Sequence, residues 1–258
     1  MNTLDLRGRT AVVIGGTSGL GRAIAMGLAE AGADVVSTGR RAAMVETVAA
    51  EIEAKGRRTL RLAADVLSRP SIDQFRDAVV NHFGGADVLV YAAGRIAKVP
   101  AKDMPENEWT SIQDTNVTGA LRAAQAFYET LKASGRGRIV NIASLNSFVS
   151  LNQVAAYAAS KAALLGLTRS LAIEWARDNI NVNAIAPGVF LTDLNRAFLE
   201  SSDRGRELLM RTPMGRFGKS EELVGAAVLL ASDAASFITG QCIAVDGGFL
   251  ASGVNAVS

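Results

Sequence analysis

Tyr157 and Lys161 stand four residues apart in the run Tyr-Ala-Ala-Ser-Lys. At that spacing two side chains share a helix face, so a phenol and an ammonium point the same way. A free phenol titrates near ~10, and a neighbouring ammonium favours phenolate, which is expected to draw the value toward neutrality. Such a tyrosine can hand a proton to a nascent alkoxide or take one from an alcohol. Ser144, just after an apolar run, can hydrogen-bond the same oxygen. Asn116 is polar inside a helical stretch and can either hold a proton-relay water or answer a kink. Each has a plainer reading, since Tyr-x3-Lys occurs by chance and Ser144 can be a helix cap. Taken together, Asn116, Ser144, Tyr157 and Lys161 form a candidate catalytic set for interconverting a carbonyl and an alcohol.

That chemistry needs a hydride carrier, and the N-terminal region offers a place for one. Ile14-Gly15-Gly16-Thr17-Ser18-Gly19-Leu20-Gly21 joins a short apolar run to a helical pattern. Strand, glycine loop and helix in that order aim backbone N–H groups and the positive helix end at a phosphate. The spacing is Gly-x3-Gly-x-Gly. The next apolar run ends in Gly39-Arg40-Arg41 with no carboxylate. An acid there would bind a ribose 2′-hydroxyl, whereas arginine accommodates a 2′-phosphate. The expectation is NADP rather than NAD, although the two arginines also fit the exposed start of a helix. Asp65, after a third run, can accept from an adenine amino group.

Positioning these groups takes a layered scaffold. Apolar runs at Thr10–Ile14, Asp34–Thr38, Thr59–Ala63, Asp87–Tyr91, Arg138–Ile142, Asn181–Ile185 and Cys242–Val245 are mostly continuous, as in strands covered on both faces. Helical patterns lie between them, near 19–31, 41–55, 71–83, 107–133, 154–178 and 221–232. The alternation predicts an α/β fold: a single-domain, Rossmann-type, doubly wound parallel sheet of about seven strands with helices on both faces. The interruption at about 188–219 is too long for an ordinary connection and reads as a substrate lid. Phe190, Leu194, Phe198, Leu208 and Leu209 in it call for burial.

Composition removes other classes. Of 258 residues, 49% are hydrophobic and 20% charged, with 27 basic against 25 acidic side chains. A net charge of +2 favours neither nucleic acid nor an anionic membrane. No apolar stretch reaches the ~18–20 residues that span a bilayer, and the first seven residues do not read as a signal peptide. His82 and Cys242 are the only histidine and cysteine, which excludes a His/Cys metal cluster and an internal disulfide. The expected setting is the cytoplasm.

The motifs together resemble the short-chain dehydrogenase/reductase family along nearly the whole chain. The matching residues are Gly15/Gly19/Gly21, Asp65, Ala93-Gly94, Asn116, Ser144, Tyr157-x3-Lys161, Asn183-x3-Pro187-Gly188 with Thr192, and Val245-Asp246-Gly247-Gly248. The resemblance implies seven parallel strands and an Asn-Ser-Tyr-Lys catalytic set. It implies that Lys161 also holds the nicotinamide ribose, and that Val189 and Thr192 lie near the carboxamide. Cofactor contacts are then expected from Gly15, Thr17, Ser18, Gly19, Leu20, Gly21, Arg40, Arg41, Asp65, Val66, Ala93, Gly94, Tyr157, Lys161, Pro187, Gly188, Val189 and Thr192.

The chain departs from the family at Ile14, usually threonine, and at Tyr91-Ala92, usually a pair of asparagines. Both polar groups are absent together, so an apolar contact is expected in their place. Within the family, segments 212–218 and 247–254 look most like gluconate 5-dehydrogenase and related sugar-acid or polyol dehydrogenases. A 3-oxoacyl-ACP reductase is the second reading, and a non-catalytic NADP-binding regulator one from another class. Candidate substrate contacts are Arg95, Lys98 and Asn146. The two long helical segments carry many alanines and leucines, and a homotetramer is expected.

Overall fold

Successive residues of a strand face opposite sides of a sheet, and here both sides are apolar. In β1 (Thr10–Ile14), Val12 and Ile14 join one buried cluster while Ala11 and Val13 join another. In β3 (Val88–Tyr91), Leu89 and Tyr91 face the first cluster, Val88 and Val90 the second. The computed structural model describes residues 3–192, 196–253 and 255, the side chain of Phe198 excepted.

With β2 (Asp34–Thr38), β4 (Gly137–Ile142), β5 (Ile180–Pro187) and β6 (Cys242–Val245), the strands form one parallel sheet in the order β2-β1-β3-β4-β5-β6. Helices α1 (Gly19–Glu30), α2 (Ala42–Ala54) and α9 (Val224–Ala231) cover one face through residues such as Ile24, Ile52 and Leu230. The other face is covered by α3 (Arg69–Phe83), α5 (Gly119–Ala133) and α6 (Ala155–Trp175), through Phe75, Phe127 and Leu164. Helix α3 begins two residues before its sequence pattern, because Ser68 caps the Ser71 N–H and Pro70 sits in the first turn; Gly84 ends it at φ +83°.

Among the described residues six strands form, not seven. The run Thr59–Ala63 lies beside β2 without becoming a strand. Among the described residues, backbone bonds tie this segment to β2 and its flank only at its ends, from Val35 N to Arg58 O and from Ala64 N to Gly39 O. Between them, the Thr38 hydroxyl takes the Leu62 carbonyl, so a side chain replaces a rung of the ladder.

Strand order reverses beside β1, and in open α/β sheets the crevice outside the strand C-termini at that point is where ligands bind. The glycine loop after β1 and Ala93-Gly94 after β3 flank it. The single long helical pattern at 107–133 is broken into α4 (Glu106–Gln113), a π-turn over Asp114–Thr118, and α5. The segment expected to form a lid carries two short helices, α7 (Arg196–Ser201) and α8 (Asp203–Met210). Leu199 and Leu208 are buried with Leu145 and Phe249, and Leu209 is half-buried. Phe190 forms a bridge with Gly218. Leu194 and the side chain of Phe198, which also called for burial, lie outside the described residues. No helix among the described residues is long and apolar enough to cross a membrane, and none of their His, Cys, Asp and Glu side chains group to hold a metal.

Candidate functional site

The glycine loop is shaped first by its own packing. Gly15 sits at φ +81°, and a Cβ there would overlap the backbone of Ala93. A Cβ on Gly21 would overlap the Gly15 carbonyl. The N–H groups of Gly15 and Gly16 both reach the Thr38 carbonyl, at 2.9 and 3.2 Å. These contacts press the ends of β1, β2 and β3 together.

Gly19, at φ +51°, is different: a Cβ would meet nothing closer than Thr192 Cγ2 at 3.8 Å. Ser18 precedes α1 without capping it through its side chain, so the first-turn N–H groups stay available to an anion. Arg41 reaches back to the Ser18 hydroxyl at 3.4 Å. Arg40 is exposed and forms no ion pair among the described residues. Asp65 is half-buried, one carboxylate oxygen accepting from Leu67 N, and Val66 beside it is buried. An uncapped helix start, an open glycine and a free guanidinium fit a dinucleotide.

Across the crevice the groups are buried and polar. Asn116 is fully buried in the π-turn. Its Oδ1 accepts from Arg95 N at 2.7 Å, and its Nδ2 donates to Arg95 O at 2.9 Å and to Ser160 Oγ at 2.8 Å. The Ser160 hydroxyl in turn donates to the Tyr157 carbonyl at 2.7 Å. Asn116 thereby locks the loop after β3 to the first turn of α6. A Cβ on Gly94 would lie 3.7 Å from Asn116 Oδ1 and 3.8 Å from Lys161 Nζ, so Gly94 keeps open the space between them.

Lys161 Nζ donates to the Ile142 carbonyl at the end of β4, at 2.6 Å, and lies 5.7 Å from the centre of the Tyr157 ring. Burial pushes its ammonium down to about 8. Burial also raises the Tyr157 phenol, against a hydrogen bond from Ser144 that favours phenolate. The sequence expectation of a tyrosine drawn toward neutrality by Lys161 is therefore corrected for the side chains as they stand. Burial disfavours the charged form of each group, the ammonium as well as the phenolate. Ser144 does act as a cap, accepting from Asn146 N at 3.1 Å. The Asn146 Nδ2 beside it is buried with no hydrogen-bond partner.

Among the expected substrate contacts, Arg95 is committed elsewhere: its guanidinium forms two bonds to Glu108, at 3.1 and 2.7 Å. Lys98 lies in the same loop, whose Val99 N–H reaches Gln153 O. Pro187 ends β5. Gly188 is pressed on Asp246, and the Val189 carbonyl accepts from Gly218 N. Thr17 packs under Gly39, and Leu20 is half-buried against the α1 face. A groove of about 1770 Å³ runs from Thr17–Gly19 over α1 and α2 toward 215–221. It contains none of the four candidate catalytic side chains, and its arginines Arg22, Arg196 and Arg216 are paired with Glu51, Glu200 and Glu222.

Sequence reasoning missed Ser160, whose signal was its place between Tyr157 and Lys161. It also did not foresee what the Tyr91 hydroxyl does. The expected apolar contact is present, Ile14 and Tyr91 sharing one buried cluster, but the Tyr91 hydroxyl also has a polar task, donating to the Thr115 carbonyl at 2.5 Å.

Known proteins resemble this chain end to end. The family model described as enoyl-(acyl carrier protein) reductase matches residues 15–250. The chain is 40% identical over 252 residues to 2-dehydro-3-deoxy-D-gluconate 5-dehydrogenase of Dickeya dadantii (strain 3937), covering 97% of this chain and 99% of the relative. It is 36% identical over 248 residues to gluconate 5-dehydrogenase of Gluconobacter oxydans (strain 621H), covering 96% and 97%. A crystal structure of a gluconate 5-dehydrogenase from Burkholderia cenocepacia J2315 in complex with NADP and tartrate matches with a TM-score of 0.92 at 36% identity, covering 98% of this chain and 99% of that one.

Proposed function

We propose that this chain, which belongs to the short-chain dehydrogenase/reductase family and is an NAD(P)-dependent oxidoreductase, interconverts the hydroxyl and ketone forms of a sugar acid. The observation that carries the substrate class is full-length similarity to two dehydrogenases named for such substrates. The buried, unpartnered Asn146 Nδ2 beside Ser144 supports it. A buried donor without an acceptor costs free energy, and a substrate hydroxyl or carboxylate supplies the acceptor.

When bound, the nicotinamide supplies or accepts the hydride. The protein's part is to orient the substrate and move a proton. Tyr157 Oη gives that proton to the oxygen of the ketone, or removes it from the alcohol. Ser144 holds the same oxygen through its hydroxyl. Lys161, fixed by the Ile142 carbonyl, brings a positive charge that favours phenolate once an anion or ribose hydroxyl compensates its burial. Asn116 keeps the loop after β3 and the first turn of α6 in register.

The cofactor is NADP(H) in this reading, with Arg40 as the main 2′-phosphate contact and Arg41 bracing the loop through Ser18. The segment 188–219 serves as a lid within a single catalytic unit, and the reaction takes place in the cytoplasm. The assembly is a homotetramer: Ile173 and Phe237 are 81% and 102% exposed, as apolar side chains awaiting a partner surface are. A monomeric mass by light scattering at micromolar concentration contradicts that assembly.

The deciding experiment measures turnover on a panel of sugar acids, polyols and β-ketoacyl thioesters with both cofactors. The highest kcat/KM is expected for a sugar acid such as gluconate or 2-dehydro-3-deoxygluconate. A preference for the thioesters transfers the chain to the acyl-reductase reading, and no turnover of any of them leaves the regulator reading.

A further inference from the structure

The π-turn that carries Asn116 is held open by a residue outside the candidate catalytic set. In a regular helix the Gly119 N–H closes on the Thr115 carbonyl, four residues back. Here it goes to Asp114 O instead. The Thr115 carbonyl is left without that donor, in a part of the protein where Tyr91 is fully buried and Asn116 is too. The Tyr91 hydroxyl takes the vacant role, donating to Thr115 O at 2.5 Å.

Gly119 completes the arrangement. A Cβ there would overlap the Tyr91 hydroxyl oxygen, and would stand 3.2 Å from Asp114 O and from Val66 Cβ. The absent side chain is therefore the space in which the phenol oxygen sits. Burial raises the Tyr91 phenol further above its ordinary value, so it remains a donor throughout the working range. Single π-turns inside α-helices are frequently found at functional sites. This one adds a residue to the helix just where Asn116 must face both Arg95 and Ser160.

We propose that Tyr91 is a positioning residue for the reaction: its hydroxyl substitutes for the missing helical donor at Thr115 and so fixes the π-turn that aims Asn116. Losing that bond lets Gly119 N–H return to Thr115 O. Removing one residue from the turn rotates Asn116 by about 100°, one helical step, away from Arg95 and Ser160. The loop after β3 and the first turn of α6 then lose their shared clamp. The proposal rests on the reading of Asn116 given above.

The test compares Tyr91→Phe, Asn116→Ala and Gly119→Ala, with the double variant Tyr91→Phe/Gly119→Ala. Each is measured for kcat, KM for the sugar acid and NADP(H) binding, alongside thermal midpoint and circular dichroism. Tyr91→Phe keeps the ring and should fold. Its kcat should fall about tenfold or more, toward that of Asn116→Ala, with NADP(H) affinity changed less than threefold. Gly119→Ala should be more damaging alone than in the Tyr91→Phe background, where the oxygen it collides with is gone. A lowered thermal midpoint with wild-type kcat would make Tyr91 a core residue only and overturn the proposal. Additive effects in the double variant would overturn it too. If Asn116→Ala itself keeps full kcat, the role given to Asn116 has failed rather than the support from Tyr91, which then still shows in the coupling between positions 91 and 119.

Discussion

At the glycine-loop end of the crevice, side chains are removed so that backbone can meet backbone. Gly15 lies on Ala93, Gly21 lies on the Gly15 carbonyl, and the charges that remain, Arg40 and Arg41, are exposed. At the Asn116–Tyr157 end, polar side chains are added to a dry interior. Asn116, Ser144, Ser160 and Lys161 are all buried, and each has at least one hydrogen bond. The first end recognises a ligand by leaving room and offering surface charge. The second has a geometry fixed in advance, at the cost of desolvating an ammonium and a phenol. Substitutions at the two ends should therefore fail in different ways.

The largest effect is expected at the buried end. Tyr157→Phe removes the proton carrier but keeps the ring. General acid–base groups contribute typically ~10²–10⁴-fold, and kcat should drop by that much while NADP(H) binding stays near wild type. Activity within a factor of two of wild type would remove Tyr157 from the mechanism and erase the contrast.

Lys161 sharpens the contrast, because there function and stability should separate. Its folded value near 8 lies below the ordinary lysine value of 10.5. The charged form is disfavoured in the fold, so the penalty is complete below pH 8 and is relieved as pH rises from 8 to 10.5. Such a shift corresponds to about 3 kcal/mol. Lys161→Met should thus be inactive yet more resistant to denaturant than wild type at pH 7, with the gap narrowing by pH 10. Denaturation midpoints at the two pH values, without added cofactor, check this. A gap that does not change with pH would mean that the ammonium is not the source of the penalty.

The smallest effect belongs to the exposed end. A charge-assisted hydrogen bond contributes about 1.5–3 kcal/mol, and 1.4 kcal/mol is a factor of ten. Arg40→Ala should therefore cost one to two decades of kcat/KM with NADP(H) and leave NAD(H) almost unchanged. Equal losses with both cofactors would show that Arg40 supports the loop rather than reading the 2′-phosphate.

The same division explains what could be read from the sequence. The glycine loop is contiguous, and its spacing carries its geometry, so it was legible before any fold was known. The buried end draws on β3, the π-turn, β4 and α6. Tyr157 and Lys161 were visible because one helix holds both. The link from Asn116 to Ser160 spans 44 positions, and no local pattern announces it. Tyr91 was read as a lost polar group, because the role of its hydroxyl depends on a carbonyl 24 residues away that only a π-turn leaves without its helical donor. Thr59–Ala63 had the composition of a strand. What it lacked was invisible in composition: the Thr38 hydroxyl occupies a carbonyl that a ladder would have used.

Along β2, an uncovered parallel edge would present a row of N–H and C=O groups on which another chain could add a strand. Residues 57–64 lie over that edge and bring Arg57, Arg58 and Arg61 with them, Arg61 paired to both Glu46 and Glu53. A charged, irregular strip gives an incoming strand neither a flat template nor an apolar one. The segment thus works as a selvedge, and its loosening would first appear as fibril or aggregate formation at high concentration.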